Sequence, residues 1–445
     1  MKRIVCLLLA ALLIFSGCAA KENTQIPEAI EQETPASAEK GYESRFSSET
    51  LIELSDSGIK TDSLSVFATN DIIYYEDRDT YDSGNPYGEG EEADKHTEEE
   101  AAAHTVVNIT KPGAYRITGK LSQGQIRVDL GKNADEDKNA VVELILDNAD
   151  ITCTVAPAIL FLNVYECDGD WDKDTATPNV DTSKAGANLI LEGKNTVSGS
   201  YVARIYKDKE GEKKLWKQDA AIYSYMSMNV SGSGALELNA ENEGMDTELH
   251  LTIHSGDITI RSGNDGINTN EDDVSVTTIN GGNLLLLAGL GAEGDGIDSN
   301  GYLVINGGTV VSSAHPASDG GLDSGLGSFI HGGTVISLGE AMDWTESDAG
   351  QVTINLQFDA YRAPADTIRI TKEDGTEIFS FDPVAVLGEY AREYMGVVIS
   401  CPDFKEGDTY LVYGAGQQLQ SAEDGTAFYM RDKVNLFSGL SAITE

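Results

Sequence analysis

The chain is short of basic residues: 31 Lys and Arg stand against 74 Asp and Glu, a formal net charge of −43 and a sequence pI of about 4.3. Such acidity repels phosphate backbones and anionic lipid headgroups, which argues against nucleic acid as a partner and favours metal cations or neutral ligands. The shortage is sharpest in the middle. No lysine occurs between Lys217 and Lys372, and from residue 219 to 350 Arg261 is the lone basic residue among 20 acidic ones. Cysteine is scarce too, at 5 residues, and the 6 histidines fall in no metal-ligand spacing, so a soft-metal site of Cys and His is excluded. Proline is low at 10, and the longest apolar run, Ile4 to Phe15, is too short to span a bilayer. What is abundant is glycine, 46 residues, set among short Ile, Val, Thr and Leu runs, which is a β-rich, turn-rich composition.

The N-terminus reads as an address. Met1-Lys2-Arg3 is a basic start, Ile4 to Phe15 an apolar core, and Phe15-Ser16-Gly17-Cys18 resembles the bacterial lipobox, with Phe15 where leucine is usual. Residues 1–17 are therefore expected to be a lipoprotein signal peptide and Cys18 the lipidated residue, placing the protein on the extracellular face of the cell membrane. Residues 18–103 are polar and acidic, as in Gly88-Glu-Gly-Glu-Glu and Glu98-Glu-Glu, and read as a flexible tether. Within it the island Leu64 to Tyr75 reads as an early strand or a piece packed on the body. Whether Cys153 and Cys167 pair is left open by the sequence.

The body is a repeat. A small residue, an apolar residue, a polar one and Ser/Thr recur as Ala221-Ile222-Tyr223-Ser224, Gly244-Met245-Asp246-Thr247, Gly266-Ile267-Asn268-Thr269, Gly296-Ile297-Asp298-Ser299 and Gly321-Leu322-Asp323-Ser324. A glycine turn entering a β-run recurs in the same phase at Gly256, Gly282, Gly308 and Gly333. A period of about 22–26 residues without helical periodicity predicts an all-β fold, a right-handed parallel β-helix whose coils stack at roughly 4.8 Å. Residues 351–445 leave the repeat and predict a β-rich C-terminal cap, with Asp374-Gly375 as a hairpin turn.

The segment Ile109-Thr-Lys-Pro-Gly-Ala-Tyr-Arg-Ile-Thr-Gly, then Gly124-Gln-Ile-Arg-Val, Asp219-Ala-Ala-Ile-Tyr-Ser and Val397-Val-Ile-Ser-Cys-Pro-Asp-Phe-Lys-Glu-Gly-Asp-Thr-Tyr resemble bacterial surface carbohydrate-binding domain-containing proteins, calcium-containing β-helices shaped like pectate lyases. The resemblance spans about residues 105–415. It implies bound Ca²⁺ and affinity for plant polysaccharide, acidic pectin-type sugars such as polygalacturonate or cellulose, with residues 104–350 as the carbohydrate-binding domain and 351–445 as the cap.

The repeat itself puts acids in register: Asp246, Asn268, Asp298 and Asp323 at one coil position, and Glu243, Asp265 and Asp295 at a neighbouring one. Stacked carboxylates repel, and a hard cation taking six to eight oxygens is the simplest remedy, though Asp and Asn also suit tight turns. With Asp272, Asp273, Glu293 and Asp319 these form the expected Ca²⁺ ligands. Asp168-Gly-Asp170-Trp-Asp172-Lys-Asp174 has alternate acids but lacks the glycine and distal glutamate of an EF-hand loop, and a solvated insertion is the simpler reading. Tyr223 and Tyr302 are candidates for stacking on sugar rings.

A lyase needs a lysine or arginine to take the C5 proton, and the lysine gap leaves Arg261 alone, so the reading favours a monomeric polysaccharide binder over an enzyme. A polysaccharide lyase, a hydrolase, and a structural or adhesive surface protein without a glycan ligand remain the alternatives.

Overall fold

The computed structural model describes residues 44–75, 94–168, 171–203, 217–317, 319–340, 343, 345–346, 350–418, 426–429 and 435–436. The signal segment, Cys18 and Asp170 lie outside the described residues. The regular structure of the described residues is almost entirely strand, and strands of the body pair in parallel with those one repeat later. One ladder runs through Thr105–Ile109, Gly124–Asp129, Ile159–Asn163, Ala220–Ser224, Glu243–Thr247, Ile267–Thr269, Ile297–Ser299 and Asp323–Ser324. A second joins Ala187–Glu192, Met228–Gly232, His250–Ile253, Val276–Ile279, Tyr302–Ile305 and Gly327–Ile330. A third joins Lys194–Gly199, Ala235–Ala240, Asp257–Ser262, Asn283–Leu287, Thr309–Ser313 and Thr334–Gly339.

Alternation along each strand sends one set of side chains inward, where equivalent positions stack. Ile222, Met245, Ile267 and Ile297 face each other coil to coil, as do Val230, Ile253, Ile279, Ile305 and Ile330, and all are buried. Each such side chain contributes roughly 1.5–3 kcal/mol by leaving water. The glycine opening the later repeats has a steric reason. A Cβ on Gly296 would lie 1.7 Å from Ser312 Oγ and 2.4 Å from the carbonyl oxygen of Gly321 in the next coil. Only a hydrogen fits where the coils approach that closely.

Much of the expected tether is folded. Glu49–Leu54 pairs in parallel with Gly113–Leu121, Val66–Thr69 pairs antiparallel with Thr105–Ile109, and Ile52, Leu54, Val66, Ile72 and Tyr75 are buried. These residues cover apolar edge that the first coil would otherwise expose. The Glu98-Glu-Glu run is not spacer either. It opens the helix Glu98–Ala102, where Thr97 and Glu100 form a capping box and acids suit the positive end of the helix.

At the other end Tyr394–Ser400 pairs antiparallel with both Thr334–Gly339 and Thr353–Arg362, closing the third ladder. The cap also lies along that ladder's outer face. Leu287, Ile336 and Leu338 pack with Leu356, Val397 and Ile399, and Arg392 donates to the carbonyls of Ala288, Gly289 and Ser313. Ile368–Lys372, Glu377–Phe381 and Thr409–Gly414 form a small antiparallel sheet beside it, with Asp374-Gly375 turning its hairpin. Cys153, Cys167 and Cys401 are free thiols.

Candidate metal centre

Parallel register brings the predicted acids together on the outer side of the first ladder. Tyr223, Asp246, Asn268, Asp298 and Asp323 are successive partners along it, and Glu243 pairs with Ala220. The neighbouring column is fixed by backbone bonds, with Gly244 N donating to Asp265 O and Gly266 N to Asp295 O, each at 2.9 Å. In the next coil Gly296 N bonds Gly320 O, so the acid column ends there and Asp319 sits one residue out of phase.

The innermost part of this face is the group Asp219, Glu243 and Asp246, all buried, with one ligand oxygen from each lying within 4.8 Å of the others. It is the one such group of three or more His, Cys, Asp or Glu among the described residues. Burial pushes the Glu243 carboxyl up to about 7, with the Asp219 charge adding to the shift, and it pushes Asp246 well above the usual carboxylate range, with Glu243 and Glu248 adding. Asn270 Nδ2 donates to both Asp246 oxygens, and Asn268 Nδ2 donates to Glu243 Oε1 at 3.2 Å. Glu243 Oε2 and Asn268 Oδ1 are buried without a hydrogen-bond partner.

Next along the face, burial raises Asp265 well above its usual value, Asp295 to about 8 and Asp298 to about 7, each with further contributions from neighbouring carboxylates. Backbone amides partly offset this for two of them: Asp265 accepts from Asp295 N at 2.7 Å and Asp295 from Gly320 N at 2.6 Å. Asp319 accepts from Gly294 N at 3.0 Å. These oxygens, with Asn268 Oδ1, are hard donors of the kind Ca²⁺ takes.

Other predicted ligands stand apart from the triad. Asp273 accepts from Lys173, Asp272 accepts from Asn300, and Glu293 is exposed in the loop after Leu287. Asp172 accepts from Asp174 N within its own loop, as in a simple Asx-turn. Tyr223 is not a sugar-stacking residue. It is fully buried against Tyr225 and Leu160, and its hydroxyl bonds the Glu248 carboxylate. Tyr302 is half-buried, its ring 6.2 Å from that of Phe329. Two of the six histidines are also interior: His104 bonds Glu100 O and Thr154, and His250 lies beside Asp168.

Sequence reading missed Asp219 and Lys217. Lys217, the residue at which the lysine gap begins, has a side chain 14% exposed and ion-paired with Asp219.

The model of the carbohydrate-binding domain-containing proteins matches residues 103–355, more than half of the chain. The chain belongs to that family. A relative of that description from Acetivibrio thermocellus is 29% identical over 157 residues, which is 35% of this chain and 45% of the relative, so the match spans less than half of that protein. A solved polysaccharide lyase-like protein from C. thermocellum, a gadolinium derivative, is similar at 21% identity and a TM-score of 0.38 over 64% of this chain and 93% of the other. The family match covers the acid columns, the triad and Lys217.

Proposed function

We propose that this family member binds an acidic polysaccharide of the pectin type through Ca²⁺ held on the acid face of a right-handed parallel β-helix. The observation that carries the reading is the buried triad Asp219–Glu243–Asp246, where Glu243 Oε2 and the Oδ1 of adjoining Asn268 have no hydrogen-bond partner, continued outward by Asp265, Asp295 and Asp298. So many buried carboxyls favour a cation, and a hard one, because their donors are all oxygens. Uronate carboxylates cannot approach such a face directly; they would complete the coordination of an ion already held there. Stacked parallel coils present these groups in a line, which suits an extended chain. The N-terminal sequence supports a lipid anchor on Cys18 and a place on the extracellular face of the membrane, with the protein acting as a monomer.

The test is binding to polygalacturonate and to cellulose at matched ionic strength with Ca²⁺, Mg²⁺ or chelator. Binding of polygalacturonate that needs Ca²⁺ supports the reading, and equal affinity in all three conditions refutes it. Ultraviolet-absorbing unsaturated ends released from polygalacturonate would replace the binder with a lyase.

A further inference from the structure

Lys217 brings a positive charge of the protein's own to the acid triad. Its ammonium is bonded to the Asp219 carboxylate, its side chain is mostly buried, and its field favours the ionised forms of both Glu243 and Asp246. The triad's ligand oxygens lie within 4.8 Å of one another. That is the span of two oxygens on opposite sides of a single ion at about 2.4 Å from each, so the space accepts one positive centre.

The ammonium does not complete the site. Glu243 Oε2 and Asn268 Oδ1, in residues 4% and 6% exposed, are left without a hydrogen-bond partner. An ammonium offers three directed donors, whereas Ca²⁺ collects six to eight oxygens with little directional demand and can engage these two as well. The charges facing the space are Asp219, Glu243 and Asp246, and Glu248 is near enough to raise the Asp246 carboxyl.

We propose that Lys217 is a tethered competitor for the metal: its ammonium neutralises the Asp219–Glu243–Asp246 triad in the metal-free protein, and Ca²⁺ displaces it on binding. Lys217 thereby sets the threshold of calcium at which the site fills. The inference rests on the cation site proposed above and adds the residue that tunes it.

Two measurements test it. Calorimetric titration of the full chain with Ca²⁺ should show Lys217→Gln binding at least tenfold tighter than wild type, with Lys217→Arg close to wild type because the charge is kept. In the wild-type protein, an amine-reactive reagent read by mass spectrometry should label Lys217 faster in saturating Ca²⁺ than in chelator. Lys217→Gln binding Ca²⁺ no tighter than wild type, or labelling that Ca²⁺ leaves unchanged or slows, overturns the proposal. The wild-type titration reads the cation site, and the difference between the proteins reads Lys217. Wild type that does not bind Ca²⁺ sinks the site as a natural metal centre; Lys217 still stands as its blocker if Lys217→Gln then binds, and falls if neither does. Should Lys217→Gln fold only with Ca²⁺, the exchange is supported, and should it fold in neither condition, the wild-type labelling decides.

Discussion

Asn268 Nδ2 reaches from one coil to the previous one to donate to Glu243 Oε1 at 3.2 Å, and in doing so leaves its own Oδ1 buried with no partner. An orphaned buried acceptor costs roughly 1–3 kcal/mol. Here it adjoins a second orphan, Glu243 Oε2, and carboxyls whose ionisation is already held back by burial. Stability is given up at one spot on the face, and that spot is where oxygen ligands converge.

Ca²⁺ should therefore raise the melting temperature well above that in chelator. An ion binding only the native state adds about 2.7 kcal/mol at 100 times its Kd. Glu243→Gln should behave in the opposite sense in the two conditions: at pH 8 in chelator it melts at or above wild type, because a buried like charge is gone, and in Ca²⁺ it loses most of the increment. Thermal melts of both proteins in both buffers check this, and a Glu243→Gln protein that keeps the full calcium increment contradicts it.

The raised carboxyls also fix the sign of the pH dependence. Glu243 and Asp298 sit at about 7 and Asp295 at about 8, against about 4 for carboxyls in an unfolded chain. Between those limits the folded state holds more protons than the unfolded one, so stability falls as pH rises. Below about pH 4 both states are protonated and these groups no longer contribute a slope. In chelator, urea unfolding should give a more stable protein at pH 5 than at pH 8. The reverse order would show that these groups ionise freely in the fold.

The repeat was legible because its markers are steric necessities. Glycines such as Gly266 and Gly296 stand where the next coil's carbonyl leaves no room for a Cβ, and the Asn268 and Asp298 that follow them keep one phase. Asp219 escaped because it lies one residue before the position that pairs with Glu243. Lys217 escaped because it bounds the lysine gap and stands outside the repeat. Tyr223 shows the opposite failure. Its register puts it in line with Asp246, but its burial comes from Tyr225, Leu160 and Glu248, whose approach no local pattern reveals. The stretch before residue 103 misled through composition, since few apolar residues, among them Ile52 and Val66, are enough to cover one coil edge.

Arg392 ties the cap to the body, donating at 2.6 Å to Gly289 O, 2.5 Å to Ala288 O and 3.2 Å to Ser313 O. Arg392→Ala removes three charge-assisted bonds at once and should cost about 2 kcal/mol or more. Arg392→Lys should recover only part of it, since an ammonium cannot reproduce the planar fork. Chemical denaturation of the two variants tests the ranking, and an Ala variant as stable as wild type would show that the cap is held by its apolar contacts alone.

Tyr223 and Tyr302, both candidates for stacking on sugar rings by sequence, differ in burial. Tyr223→Phe removes a buried hydroxyl bonded to Glu248 and should lower stability by about 1–3 kcal/mol while leaving glycan affinity unchanged. Tyr302 is half-buried beside Phe329 and keeps an open part of its ring. If an extended glycan crosses onto the second ladder, Tyr302→Ala loses a stacking contact of about 1 kcal/mol, roughly a fivefold weaker Kd, with little change in melting temperature. Titrating both variants with oligogalacturonide in saturating Ca²⁺ reads the two effects side by side. Unchanged affinity in Tyr302→Ala confines the glycan to the acid face, and weakened affinity in a fully folded Tyr223→Phe would return that residue to the binding surface.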